Sequence, residues 1–199
     1  MAIQFEYPEG ATPLDADEAV GLIPGHIANQ AQLNEWEFAN VLEGEMWALG
    51  RGRRRKFGDT LSLAFVRELH KQMFGNTWKW AGTFRQTEKN IGIDPTKIQT
   101  ALTELLADAK TQLEFRSYGL DEIATRLSHR LVAIHPFANG NGRLSRSLAD
   151  LVLIEQGAIR FSWGAINLNN ESATRQQYLS ALRAADAKNY APLLLFVRS

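Results

Sequence analysis

Helical spacing of apolar residues runs through most of this chain of 199 residues. Side chains such as Leu61, Phe65 and Leu69 recur near every 3.6 residues, which places them on one face of an α-helix. The same spacing predicts helices over residues 29–48, 61–73, 95–113, 121–135, 143–152, 171–187 and 191–197. We therefore expect an all-α fold in one compact domain, with an N-terminal arm and helix over residues 1–50 and the core over 51–199.

Residues 80–93, here called the flap, break the helical spacing. Short runs with apolar residues, 83–87 and 91–93, stand on either side of the polar Glu88-Lys89-Asn90. This pattern is typical of two short strands joined by a turn. The sequence therefore predicts an exposed β-hairpin between two helices.

The composition excludes several classes of protein. The chain has no cysteine, so it forms no disulfide, thiolate nucleophile or cysteine-ligated zinc site. Its 22 basic residues balance 22 acidic ones, so no broad field attracts nucleic acid or an anionic membrane. The basic run 51–56 is more typical of a solvated loop than of a nucleic-acid site. No apolar run is long enough for a membrane span, and residues 1–10 lack the apolar centre of a secretory signal.

The segment 135–146 carries the strongest chemical signal. It reads His-Pro-Phe-Ala-Asn-Gly-Asn-Gly-Arg-Leu-Ser-Arg and lies between two predicted helices. Glycine and asparagine tolerate positive φ, so successive backbone N–H groups of such a loop can converge on an anion. The N-terminus of the next helix adds unpaired N–H groups and a positive dipole end. The loop therefore predicts a phosphate site at Asn139, Gly140, Asn141 and Gly142.

Two arginines and a histidine extend this site. Arg143 and Arg146 are three residues apart and so share a helix face, and a guanidinium can hold phosphate oxygens in pairs. His135 ends the preceding helix and can accept a proton near neutral pH. Taken alone, each feature has an ordinary structural explanation: the Gly/Asn segment as a turn, the arginine pair as a solvated helix face, and His135 as a structural histidine. Their joint occurrence favours a polyphosphate site with a general base.

The segment resembles the signature of the Fic family, H-P-F-x-[D/E]-G-N-G-R-x-x-R. It departs from the fixed positions only at Asn139. Trp80-Ala81-Gly82, Ala185-Asp186 and Pro192-Leu193 also resemble the subgroup named mobile mystery protein B. The resemblance implies the Fic fold, a helical bundle with a short β-hairpin flap. It also implies a bacterial, cytoplasmic nucleotidyltransferase that moves AMP from ATP to a hydroxyl of a target protein.

The resemblance further implies a role for each matching residue. His135 would deprotonate a Ser, Thr or Tyr hydroxyl of the target, Asn141 would contact the phosphates, and Arg143 and Arg146 would hold the leaving diphosphate and the γ-phosphate. ATP would act with Mg²⁺, and the chain itself could serve as a second acceptor. The target segment would add as a strand to the flap, through residues Thr87, Glu88, Lys89, Asn90 and Ile91.

Two positions depart from the family pattern. Asn139 replaces the carboxylate that holds Mg²⁺, and a neutral amide is a weaker ligand, so we expect reduced rather than absent transfer. Glu43-Gly44 matches the end of the family's inhibitory pattern [S/T]-x-x-x-E-[G/N], although Ala39 does not. We hypothesise that Glu43 pairs with Arg146 and inhibits the enzyme. A surface glutamate on an amphipathic helix explains the same residues equally well.

Two other functions remain open on the sequence alone. The same loop could serve a transferase that moves a different phosphate-containing group, because the motif does not fix which phosphorus is attacked. Alternatively, Asn139 and Glu43 favour a nucleotide-binding regulatory module with weak activity. The remaining histidines, His26 and His70, are interpreted as structural or exposed, and His129 lacks the spacing to form a metal site with His135.

Overall fold

The computed structural model describes residues 12–52, 58–165 and 171–199. These ranges fold as α-helices joined by short loops, so the predicted all-α class is confirmed. The helices are α1 Ala16–Ala19, α2 Gln30–Gly52, α3 Leu63–Phe74, α4 Ile98–Phe115, α5 Leu120–Ile134, α6 Asn141–Glu155, α7 Glu171–Asp186 and α8 Ala191–Val197. The short α1 was not predicted. Residues 1–10 and 53–56, which were interpreted from the sequence, lie outside the described residues.

Local side-chain chemistry explains where two helices begin. Asp94 accepts a hydrogen bond from the backbone N–H of Thr96 at 2.9 Å, and Pro95 opens the 3₁₀ turn Pro95–Lys97 that leads into α4. This matches the predicted start. Helix α3 begins two residues later than the predicted residue 61, because Ser62 caps it. The Ser62 hydroxyl accepts from Phe65 N–H at 3.2 Å.

The core is built around the helices on either side of the segment 135–146. Helix α5 packs against α4 and α6, and α2 packs against α3. Residues from these helices, including Leu69, Leu131, Leu144 and Leu148, are fully buried. A second apolar cluster joins α7 and α8 to Phe161. Burial of both α5 and α6 fixes the two ends of the loop between them, and this rigid support is what a catalytic loop requires.

The predicted β-hairpin is wrong. Residues 80–93 contain no β-strand, and two of their carbonyl groups are bound by a buried arginine. The Arg85 guanidinium donates to the carbonyls of Thr87 and His135, each at 2.7 Å, and to that of Ile93. Backbone N–H groups of the flap bond across to α5 and the residues after it, with Arg85 N donating to Pro136 O at 3.0 Å. The flap is therefore an irregular loop wrapped around Arg85.

Residues 12–29, here called the arm, cross the flap before α2 begins. The indole N–H of Trp80 donates to Glu18 O at 3.0 Å, and Lys79 N–H donates to Gly21 O at 2.9 Å. Leu22 forms an isolated antiparallel bridge with Trp78. These contacts hold the arm alongside the start of the flap. Within the described ranges, none of the helices combines the length and the hydropathy needed to cross a membrane.

Candidate active site

His135 lies at the end of α5, in the left-handed conformation that stops the helix. Its φ is 53°, and its N–H closes the last turn by donating to Leu131 O at 3.0 Å. Pro136 follows and prevents further helix. The side chain is 5% exposed and lines a cleft of about 1440 Å³ together with the loop 139–142, Arg143 and Arg146. The structure therefore brings the predicted base and the predicted phosphate site into one cleft.

The surroundings of His135 keep its imidazole neutral. Burial is the largest cause that lowers its pKa, from 6.5 to about 4. The positive charge of Arg85 lowers it further, the Val132 carbonyl opposes the shift, and the charge of Lys89 has a smaller lowering effect. The Nε2 atom lies 3.1 Å from Oγ1 of Thr12, which is also buried. When Thr12 donates, Nε2 is the acceptor and Nδ1 carries the ring proton. A neutral imidazole in this state can accept a proton at pH 7.

The loop between α5 and α6 depends on one glycine and one asparagine. Gly140 has φ of +80°, and a Cβ there would lie 2.5 Å from Cζ of Phe74, so only glycine fits. Asn141 is 1% exposed, and its amide spans the loop by accepting from Phe137 N at 3.0 Å and donating to Phe137 O at 2.8 Å. The Asn141 side chain thus holds the loop in shape, and the predicted contact of Asn141 with the phosphates stays a prediction. The backbone N–H groups at the start of α6 suit that role.

His70 is the site residue that sequence reasoning missed. It is fully buried, with its Nε2 3.0 Å from Asn139 O and its Nδ1 accepting from Gly82 N–H at 3.0 Å. Its ring stacks on Phe137, with centroids 3.8 Å apart. Burial lowers its pKa to about 3, so it is neutral and ties the flap to the loop. The available signal was its place on α3 at helical spacing from Val66 and Met73, both buried.

Arg143 and Arg146 line the same cleft but have different neighbours. Arg143 donates through Nη1 to Glu37 Oε2 at 2.7 Å, and Nη2 lies 3.4 Å from Asn139 Oδ1. Glu37, a residue of α2, is 7% exposed and also accepts from the indole N–H of Trp78 at 2.7 Å. Arg146 instead lies over the ring of Tyr178, 5.8 Å from its centroid. Both terminal nitrogens of Arg143 therefore face acceptors of this chain.

The predicted pair between Glu43 and Arg146 does not form. Glu43 is exposed, and in the part of the chain that the structure describes no ion pair joins it to Arg146. The carboxylate of α2 that does reach a motif arginine is Glu37, whose partner is Arg143. Six residues separate the two glutamates, which places them about 120° apart around the helix axis. The ion pair between α2 and the motif thus involves Glu37 and Arg143, and an inhibitory role of Glu43 stays a prediction.

The residues around Asn139 do not fit a magnesium ion held by the protein. The Asn139 Oδ1 atom accepts from Gly140 N–H and faces the Arg143 guanidinium, so its lone pairs are directed at donors. Mg²⁺ prefers carboxylate ligands. Across the described ranges, no group of three or more His, Cys, Asp or Glu side chains could hold a metal ion. Any Mg²⁺ at this site would have to depend on phosphates of a nucleotide.

The five predicted flap residues are not equivalent. Thr87 and Lys89 contact the arm, with Thr87 Oγ1 donating to Asp15 Oδ2 at 2.6 Å and Lys89 Nζ 2.8 Å from the same carboxylate oxygen. Glu88, Asn90 and Ile91 are exposed. The structure therefore divides the flap into an edge that holds the arm and an edge that faces outward.

Comparison with known proteins identifies the family. Residues 60–153 match the model of the Fic/DOC family. The chain is 29% identical over 141 residues to the protein adenylyltransferase fic-1 of Caenorhabditis briggsae, covering 69% of this chain and 26% of that protein. It is 26% identical over 129 residues to the protein adenylyltransferase VbhT of Bartonella schoenbuchensis, covering 60% of this chain and 26% of that protein. Residues 60–153 of this chain therefore form a Fic/DOC domain, and the chain spans about a quarter of the length of these relatives.

Solved structures confirm the Fic fold. The N-terminal Fic domain of a Bartonella quintana effector matches with a TM-score of 0.66 and 20% identity, covering 90% of each chain. Fic-1 of C. elegans matches with a TM-score of 0.64 and 23% identity, covering 91% of this chain and 51% of that one. At these identities the likeness concerns the arrangement of helices. No feature of these comparisons assigns the chain to the mobile mystery protein B subgroup, which stays a prediction.

Proposed function

We propose that this chain is a protein adenylyltransferase that moves AMP from ATP to a hydroxyl group of a Ser, Thr or Tyr side chain. The observation that carries the proposal is the neutral, buried His135, which has a hydroxyl 3.1 Å from Nε2 in the cleft that also contains the loop 139–142. Relatives in Caenorhabditis and Bartonella are named protein adenylyltransferases, and two related Bartonella structures contain ADP or AMPPNP. These names support the reaction class.

The proposed reaction is a single in-line displacement. Nε2 of His135 accepts the proton of the attacking hydroxyl, and the oxygen forms a bond to the α-phosphorus as pyrophosphate leaves. The backbone N–H groups at the start of α6 and the two motif arginines stabilise the charge that develops on the phosphates. Because both terminal nitrogens of Arg143 face acceptors, its capture of a phosphate requires release from Glu37. This exchange is the step that limits nucleotide binding in the proposal.

The partners follow from the same chemistry. The substrates are ATP and a protein hydroxyl, and any Mg²⁺ is carried by the ATP phosphates, since the lone pairs of Asn139 Oδ1 are directed at donors of this chain. The exposed edge of the flap, Glu88, Asn90 and Ile91, faces the target. Its irregular backbone does not support the strand addition that the sequence predicted. We place the reaction in a bacterial cytoplasm on the family resemblance, and the named relatives include proteins of nematodes.

Labelled ATP tests the reaction directly. Wild-type protein and the variant His135→Ala are incubated with ATP labelled at the α- or the γ-phosphate, with and without Mg²⁺. The proposal expects transfer of the α-label that depends on His135. Transfer of the γ-label would instead indicate that the loop presents a different phosphorus and that the chain moves phosphate.

One observation favours a second function, a nucleotide-binding regulatory module with weak turnover. The ion pair between Glu37 and Arg143 occupies the arginine that a leaving diphosphate requires. Titration of the protein with ATP separates the two functions. Binding of ATP without transfer of either label, in wild type and in Glu37→Gln, would favour the regulatory module.

A further inference from the structure

We infer that Thr12 is an acceptor of the transfer, so that the chain adenylylates its own arm. The inference rests on the proposed function. Thr12 is 6% exposed, lines the cleft that contains the phosphate loop, and has its hydroxyl 3.1 Å from Nε2 of His135. Within the described ranges, no other hydroxyl is hydrogen-bonded to His135. A base and its substrate in a transfer reaction stand at this distance.

The arm is held in this position by charge. Lys89 of the flap is 3% exposed in its side chain, and its ammonium contacts Asp15 at 2.8 Å and also the carboxylate of Glu18. Its Nζ also lies 3.4 Å from the carbonyl of Pro13, the residue after Thr12. The flap thus binds a segment of this chain immediately beside the base. A buried ammonium with two carboxylate partners orders this segment better than an exposed pair would.

The hydrogen bond joins the two atoms between which the proton moves, with Nε2 as the acceptor in the tautomer that carries its proton on Nδ1. Thr12 donates its proton to Nε2, the Thr12 oxygen forms a bond to the α-phosphorus of ATP, and the bond from that phosphorus to the bridging oxygen breaks. Pyrophosphate leaves, and His135 then releases the proton to water. The products are an adenylylated Thr12, pyrophosphate and one proton. Because acceptor and base are in the same chain, no encounter between proteins is needed.

Modification would also change the site. An adenylyl group on Thr12 carries a negative phosphodiester and an adenosine into the space beside His135. The Thr12 oxygen would then lack the proton that it donates to Nε2. The contacts that hold Thr12 against His135 therefore cannot persist unchanged, and we expect the arm to leave the cleft after the reaction.

The sequence of the arm allows the acceptor to be located by mass. Cleavage after glutamate releases residues 10–18, in which Thr12 is the sole hydroxyl side chain. The full-length protein is incubated with ATP, digested, and this peptide is measured for the mass of one adenylyl group. The inference expects the modified peptide in wild type, its absence in Thr12→Val and His135→Ala, and its return in Thr12→Ser. Thr103→Val, which changes a remote threonine on α4, is the matched control and should be modified like wild type.

Two further measurements make the inference refutable. The rate constant should be independent of protein concentration, and Lys89→Met should reduce modification of Thr12 because the arm is held less firmly. Label that depends on His135 but lies outside residues 10–18 would overturn the acceptor and leave the proposed function intact. A rate proportional to protein concentration would overturn the reaction within one chain. Complete absence of label dependent on His135, in wild type and in Glu37→Gln, would overturn the proposed function and the inference together.

Discussion

Replacement of Glu37 by glutamine should tighten the binding of ATP. The carboxylate of Glu37 holds Nη1 of Arg143 at 2.7 Å, in a pair whose side chains are 9% and 30% exposed, respectively. A hydrogen bond between charged groups contributes about 1.5–3 kcal/mol when buried, and the partial exposure of Arg143 places this pair at the lower end. A nucleotide must displace Glu37 to be held by both terminal nitrogens of Arg143. We therefore expect the variant to gain about 1.4 kcal/mol in ATP binding, which is about tenfold in Kd.

Glutamine is the informative substitution because it keeps the shape of the side chain. Its amide oxygen can still accept from the indole N–H of Trp78, which Glu37 holds at 2.7 Å. Calorimetric titration with ATP measures the Kd, and thermal unfolding reports whether the variant stays folded. Glu43→Gln is the matched control, since Glu43 is an exposed glutamate of the same helix. An unchanged or weaker Kd in Glu37→Gln, or an equal gain in Glu43→Gln, would refute the argument.

Three further predictions follow from the site. In single turnovers with saturating ATP, the transfer rate should stay level from pH 8 to about pH 5 and fall with a midpoint near 4. The reason is that the pKa of His135 is lowered to about 4 and that only the neutral imidazole accepts a proton. A midpoint near 6.5 would contradict this prediction. Asn139→Asp should bind ATP more tightly than wild type only in the presence of Mg²⁺, because the new carboxylate can hold the ion; equal titration curves would show that the amide is not what limits metal binding. His70→Ala should lower the free energy of unfolding by about 3 kcal/mol in a denaturant titration. The substitution opens a cavity and leaves the Asn139 carbonyl and the Gly82 N–H without their partner. The control His26→Ala, at an exposed histidine, should change the free energy of unfolding little.

The sequence predicted the features that depend on neighbours along the chain. The stop of α5 at His135 follows from Pro136, and the start of α4 follows from the Asp94-Pro95 pair, so both are local chemistry. A loop after His135 was predicted for the same reason, although α6 begins at Asn141 and not after Gly142 as expected. Helical spacing was sufficient for the other long helices because their buried faces are regular.

Features that depend on distant partners were missed or misassigned. The two short runs of the flap do not form strands. Arg85 instead binds the carbonyls of Thr87 and Ile93, and nothing in the spacing shows that an arginine will be buried there. The choice between Glu37 and Glu43 depends on how α2 is rotated against α6, which packing decides. The contact of Thr12 with His135 joins residues 123 positions apart. A short pattern cannot encode such a pairing.

Arg85 gives the flap an unusual freedom to vary. Its guanidinium contacts backbone carbonyls of Thr87, Ile93 and His135, so the shape of the loop does not depend on which side chains those positions carry. Substitutions at the outward positions 88, 90 and 91 can then change the surface that the flap presents while its course past His135 is retained. One buried cation thus sets the course of the loop, so the outer edge can change its chemistry without a change in the cleft.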